Sequence, residues 1–97
     1  MAGSYKLTRS AEVDLLEIWN YIAEDDVESA DRQVRRIFDK FNTLAEHPLS
    51  GRARNDLEPG VRSSVVDSYV LFYSLSEMNI EILNVVHGSR DLATLFS

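Results

Sequence analysis

Residues 69–87 read YVLFYSLSEMNIEILNVVH. Tyr69–Leu75 is apolar almost throughout and rich in aromatic and branched side chains, the composition of a central strand. The polar stretch Ser76–Asn79 has turn chemistry, and the second apolar run ends at His87. Two strands joined this closely pair antiparallel. In the second run Ile80 and Ile82, with Asn84 next in the series, alternate with Glu81, Leu83 and Val85, so one face is expected to be more polar near the start of the strand. A break at Asp67-Ser68 separates Tyr69 from a further strand-like segment, Arg62–Val66. Three sequential strands therefore form a meander.

The chain before this meander has a different period. Residues 5–8, YKLT, read as a short first strand. Ser10 is the expected N-cap of a helix whose stripe is Ala11, Leu15, Ile18, Trp19 and Ile22, with Glu12 in the first turn. Trp19 sits on that stripe and is expected in the core. A second helix is expected from about Ser29, with Ala30, Val34, Ile37, Phe38, Phe41, Leu44 and Ala45 on one side. It stops before Pro48, because proline disfavours helical geometry in the residue preceding it. A short polar connection makes the two helices an antiparallel hairpin. The expected fold is α+β: a short N-terminal strand, then the helical hairpin packed on a small antiparallel sheet, in the order β-α-α-β-β-β, as one domain over residues 1–97.

Composition narrows the function. The chain has 97 residues, enough for one modest core. It has no cysteine, which removes disulfides and thiolate metal sites. His47 and His87 are far apart in sequence and lack ligand spacing, so no metal or cofactor is expected. No apolar run approaches the ~20 residues that span a bilayer, and the start MAGSYKLTRS has no apolar targeting core. A cytoplasmic protein without a membrane partner is the expectation. Sixteen acids against ten bases give a net charge of −6, the wrong sign for a protein held on nucleic-acid phosphate. The acids are also clustered: Ser10–Asp31 holds eight of them and no lysine or arginine. Arg52, Arg54 and Arg62 form a separate basic group around a loop rich in proline and glycine.

The segments YKLTRSAEVDLLEIWNYI (5–22), LAEHPLSGRARNDLEPGVR (44–62), YVLFY (69–73) and ILNVVHGSRD (82–91), in this order, resemble the ParE branch of the ParE/RelE toxin superfamily over nearly the whole chain. The resemblance implies the toxin of a type II toxin–antitoxin pair. It implies a protein that inhibits DNA gyrase by binding, with no bond made or broken by the toxin. It also implies a tight hetero-oligomeric complex with a ParD-like antitoxin, which carries the contact with operator DNA. Leu15, Trp19, Ile22 and Phe38 are candidates for the antitoxin surface. Arg52, Arg54, Arg62, His87, Arg90, Asp91 and Phe96 are candidates for the target surface.

The alternative within the superfamily is a RelE-like endoribonuclease acting on ribosome-bound messenger RNA. That chemistry needs the 2′-hydroxyl activated, the phosphate charge stabilised and the leaving oxygen protonated. His87 is the one conventional acid–base candidate, with Arg62 and Arg90 for the phosphate. No tyrosine follows Tyr73, so the aromatic that RelE-type toxins place near the C-terminus is missing. His87-Gly88-Ser89-Arg90-Asp91 reads more simply as a strand exit, followed by a short terminal helix, DLATLF, anchored by Leu92, Leu95 and Phe96. Arg62 has Asp56 or Glu58 as its expected ion-pair partner.

Overall fold

The computed structural model of the chain describes residues 4–77 and 79–88. The first helix, α1 (Arg9–Ala23), is capped by Thr8, whose hydroxyl accepts the Ala11 N–H at 3.1 Å. The expected cap, Ser10, lies inside the helix. Thr8 wins because its position makes tertiary bonds as well: its hydroxyl donates to the Leu83 carbonyl at 2.9 Å and its N–H to the Ile82 carbonyl at 3.1 Å. The second helix, α2 (Val27–Glu46), begins two residues before Ser29. Its cap is Asp26, whose carboxylate accepts the Glu28 N–H at 3.1 Å and the Ser29 hydroxyl at 2.6 Å. The Ser29 bond, with help from the Glu28 N–H and Arg32, holds the Asp26 carboxyl below its ordinary value. A carboxylate at a helix N-terminus is the stronger cap because it satisfies orphan donors and complements the helix dipole.

Five strands make one sheet: β1 (Ser4–Leu7), β2 (Arg52–Ala53), β3 (Val61–Val66), β4 (Tyr69–Leu75) and β5 (Asn79–His87), in the order β1-β5-β4-β3-β2. The meander β3-β4-β5 is antiparallel as expected. Asp67 and Ser68 turn the first hairpin, Asp67 at φ +53°, a region asparagine and aspartate tolerate better than most residues. The small sheet, expected to be antiparallel, is mixed. β1 runs parallel to β5, Ser4 opposite Asn79 and Leu7 opposite Ile82. A parallel neighbour needs a long crossover, which the helical hairpin and the meander supply, and such a pairing leaves no local mark in sequence. The two-residue β2 was not expected either.

The simple alternation expected along β5 also breaks. Phe72 faces Asn84 but Tyr73 faces Ile82, so Leu83 is an extra residue, a β-bulge. The bulge moves Val85, rather than Asn84, to the helix-facing side with Ile80 and Ile82, all three buried.

That side of the sheet carries the main core. Ile37, Phe41 and Leu44 of α2 pack on Leu71, Tyr73 and Ile80. Tyr5 and Phe38 both set their rings against Phe41, with centroids 5.3 Å apart in each case. Each buried side chain of this size stabilises the fold by roughly 1.5–3 kcal/mol. A smaller cluster, Val61, Phe72 and Val86 under Leu57, lies on the opposite face.

Candidate functional site

Both candidate functions use the basic loop. Arg62 opens towards neither Asp56 nor Glu58. Its guanidinium instead donates to the Gly51 carbonyl at 2.7 Å and to the Leu49 carbonyl at 3.3 Å. Asp56 is taken by Arg54, through two bonds of 3.1 Å. These hydrogen bonds hold the Asp56 carboxyl below its ordinary value. Arg54 also lies over the Phe72 ring, 5.9 Å from its centroid, a cation–π distance. Arg52, on β2, is exposed, and its side chain makes no hydrogen bond among the described residues. Of the three arginines, two therefore hold the loop and one faces solvent.

The same loop is fixed from below. Tyr73 is wholly buried, and its hydroxyl donates to the Pro48 carbonyl at 2.8 Å while accepting the Gly51 N–H at 3.0 Å. Burial pushes its phenol above the ordinary value, and the Gly51 bond and the Arg62 charge act against that.

His87 stands at the other end of the sheet. It lies opposite Tyr69, the two rings edge to face at 5.6 Å. Arg62 lies opposite Tyr73. Tyr69 and Tyr73 are four residues apart on one strand, about 13 Å at ~3.3 Å per residue. His87 and Arg62 therefore do not share a site. Arg90, Asp91 and Phe96, and the expected terminal helix, fall outside the described residues.

Beside His87 the sheet and α1 leave a groove of about 560 Å³. From α1 come Asp14, Glu17, Ile18 and Tyr21; from the strands come Tyr69, Val85, Val86 and His87. Asp14 has a second task. Its carboxylate accepts the Val85 N–H at 2.9 Å and the Asn84 side-chain amide at 3.2 Å. β1 pairs β5 only from Asn79 to Ile82, so Asp14 serves a strand edge that would otherwise lack a partner. Burial, and then the neighbouring Tyr21, push the Tyr69 phenol above its ordinary value. Tyr21 itself is 76% exposed. Sequence reasoning did not single out Glu17, Tyr21 or Tyr69. Glu17 and Tyr21 are four residues apart and so share a helix flank, and that spacing inside the acidic run was the available signal.

The candidate antitoxin residues differ in exposure. Leu15 is buried in the main core. Ile22 is half-buried, and Phe38 packs partly against the core. Trp19 is half-buried rather than in the core, because its indole N–H donates to Asp31 of α2 at 2.8 Å. A buried indole would need such a partner inside; here the partner sits at the helix–helix seam. Among the described residues no group of three or more metal-ligating side chains could hold an ion, and no helix is long and apolar enough to cross a membrane.

The family model described as the ParE toxin of the type II toxin–antitoxin system parDE matches residues 5–92. Toxin ParE1 of Caulobacter vibrioides is 35% identical over 88 residues, covering 90% of this chain and 91% of the relative. Toxin ParE1 of Mycobacterium tuberculosis is 30% identical over 94 residues, covering 95% and 96%. Among solved structures, a chain of the chromosomal ParDE toxin–antitoxin system from P. aeruginosa superposes with a TM-score of 0.75. It is 26% identical, and the match covers 89% of this chain and 96% of that one.

Proposed function

The chain belongs to the ParE toxin family of type II toxin–antitoxin systems, and from that premise we propose that it arrests growth by binding DNA gyrase and is neutralised by a ParD-like antitoxin. The observation that carries the choice against RNA cleavage is the placement of Arg62. A phosphate-binding arginine must turn its guanidinium towards the substrate, whereas Arg62 turns its own onto two backbone carbonyls. It also lies on a different strand from His87, displaced by the length of four residues. A general acid and a charge stabiliser that work on one phosphate have to converge on it. The net charge of −6 supports the same choice, since a ribosomal ligand approaches dense phosphate.

Inhibition then works by surface complementarity. Arg52 is the member of the basic loop left to meet the target, on a loop that Tyr73 and Arg62 hold in one shape. A pre-shaped loop loses less conformational entropy on binding than a mobile one. The antitoxin tail is expected on the helical hairpin, against the half-buried Trp19, Ile22 and Phe38, with Leu15 supporting them from beneath. The pair forms a cytoplasmic hetero-oligomer that meets operator DNA through the antitoxin. No cofactor takes part.

Expression of the chain alone tests this. Growth should stop with induction of the DNA-damage response, ribosome-bound messages should stay intact, and co-expression of the antitoxin encoded beside it should restore growth. Early message cleavage without DNA damage would overturn the gyrase reading in favour of the ribonuclease.

A further inference from the structure

We propose that residues 89–97 fold back over the sheet face opposite the helices, seating Leu92, Leu95 and Phe96 on Val70, Leu83 and Val86. The inference stands apart from the toxin reading. It gives the sheet a second covering layer and moves Phe96 from the target surface to the interior.

The receiving face follows from the alternation of the strands. The helices cover one side of the sheet, and the other carries Val61, Val70, Phe72, Leu83 and Val86. Of the described apolar residues packed on this cluster, Leu57 alone comes from outside the sheet. Its loop also lays Arg54 over the Phe72 ring. That loop leads into Val61, which pairs with Ser74 near the end of β4. Val86 pairs with Val70 at the start of β4, yet it too is buried, at 2% exposure. A loop at the Val61 end does not supply that cover, and an apolar sheet face needs a layer to bury it.

The position and length of the remaining chain select the occupant. β5 ends at His87, and the Gly88 N–H donates to the Ser68 carbonyl at 2.7 Å. The following residues therefore start from the Val70–Val86 end of the face. They read SRDLATLFS. Leu92, Leu95 and Phe96 stand at i, i+3 and i+4, one stripe of a helix. Ser89–Asp91 give three polar residues, about 10 Å when extended, in which to turn back. A helix rises about 6 Å from Leu92 to Phe96, a little more than one strand spacing of ~4.8 Å. The stripe thus covers β5 and β4 and stops short of β3. Val65, on β3 opposite Val70, is 61% exposed, as that reach requires.

The groove beside α1 is the competing seat, and its chemistry is wrong for this stripe. Asp14 and Glu17 line it, and covering them with leucine and phenylalanine would strip water from two carboxylates. The cluster around Val70 and Val86 is wholly apolar. Docking there leaves Arg90 and Thr94, four residues apart on the opposite flank, in solvent.

Methyl-resolved nuclear Overhauser spectroscopy on the full chain tests this without any substitution. Cross-peaks should link the Phe96 ring and the Leu92 and Leu95 methyls to Val70, Leu83 and Val86. Cross-peaks to Ile18 in the groove or to Leu16 on the outer side of α1 would overturn the assignment, as would no long-range cross-peak from residues 92–96. Mixing two labelling patterns isolates contacts between chains. If the cross-peaks arose only there, the face would belong to a second copy, and the assignment would again fail. Binding of the dye anilinonaphthalene sulfonate gives a second readout: Phe96→Ala should raise its fluorescence at least about threefold by opening the face, whereas Thr94→Ala should not. Equal dye binding by the parent and Phe96→Ala would overturn the inference. Growth arrest enters neither readout, so this inference and the toxin reading fail separately.

Discussion

The Gly51 N–H donates to the Tyr73 hydroxyl at 3.0 Å, so a Cβ built at position 51 would collide with that oxygen and lie 2.9 Å from the Ser63 carbonyl. Glycine is required here by close approach. The loop that presents Arg52 is thereby locked to the centre of the sheet, and surface and core are one mechanical unit.

Two substitutions test that lock. Gly51→Ala forces Tyr73 or the loop to shift and should destabilise the fold by about 1–3 kcal/mol, the usual effect of overpacking. Tyr73→Phe leaves the Pro48 carbonyl and the Gly51 N–H without their buried partner and should lose about 1–3 kcal/mol. Urea denaturation measures both. A midpoint unchanged in either variant would contradict the described clamp.

Arg62 and Arg52 should separate stability from function. Arg62→Ala removes the donor to the part-buried Gly51 carbonyl and to the exposed Leu49 carbonyl and should lower the melting midpoint, with a loss of about 0.5–1.5 kcal/mol. Arg52→Ala touches no hydrogen bond among the described residues and should stay within about 0.5 kcal/mol of the parent chain. If Arg52 faces the target, that well-folded variant loses inhibition. An Arg52→Ala protein as potent as the parent would remove Arg52 from the target surface.

The ion pair between the two layers sets a pH dependence. Arg36 donates to Asp67 through bonds of 2.8 and 2.9 Å, and Gln33 adds one of 3.0 Å. The Arg36 bonds first, and the Gln33 bond next, hold the Asp67 carboxyl below its ordinary 3.8. The folded chain thus protonates Asp67 at lower pH than the unfolded chain. The stabilisation is fully present above the ordinary value and is lost as pH falls through the depressed one. Asp67→Asn tolerates the positive φ but removes the charge, so its melting midpoint should fall less steeply on acidification than the parent's. The surface setting keeps the effect small, and high salt should shrink it. Parallel acid slopes for both proteins would mean that the pair contributes nothing.

The bulge on β5 depends on α1. Thr8→Ala removes both the helix cap and the donor to Leu83, and should destabilise by about 1–2 kcal/mol. Asp14→Ala removes the acceptor for the Val85 N–H. Hydrogen exchange at Val85 should accelerate in Asp14→Ala well beyond the change at Leu71 in the sheet centre. Uniform acceleration across the sheet would show general destabilisation instead of a local edge bond.

What could be read in the sequence was periodicity. The helical stripes, the short N-terminal alternation and the meander are local, so they predicted two helices and four strands in the right order. Contacts made across the chain were not legible. Thr8 outcompetes Ser10 as a cap because Leu83, 75 residues away, accepts its hydroxyl. Leu83 forms a bulge that no alternation rule foresees, and this moves Val85 inward in place of Asn84. β1 beside β5 is likewise a pairing between the two ends of the fold. The candidate site was legible in its residue types and not in its grouping. Three arginines close in sequence diverge into a carbonyl clasp, an ion pair and a solvent-facing side chain. The Glu17 groove needed α1 and β5 placed together before it existed.

The decisive measurement is supercoiling by purified gyrase with this protein titrated in. Supercoiling should fall with added toxin while cleaved DNA accumulates, and the cognate antitoxin should reverse both. Undiminished supercoiling, in the presence of protein that still arrests growth when expressed, would contradict it.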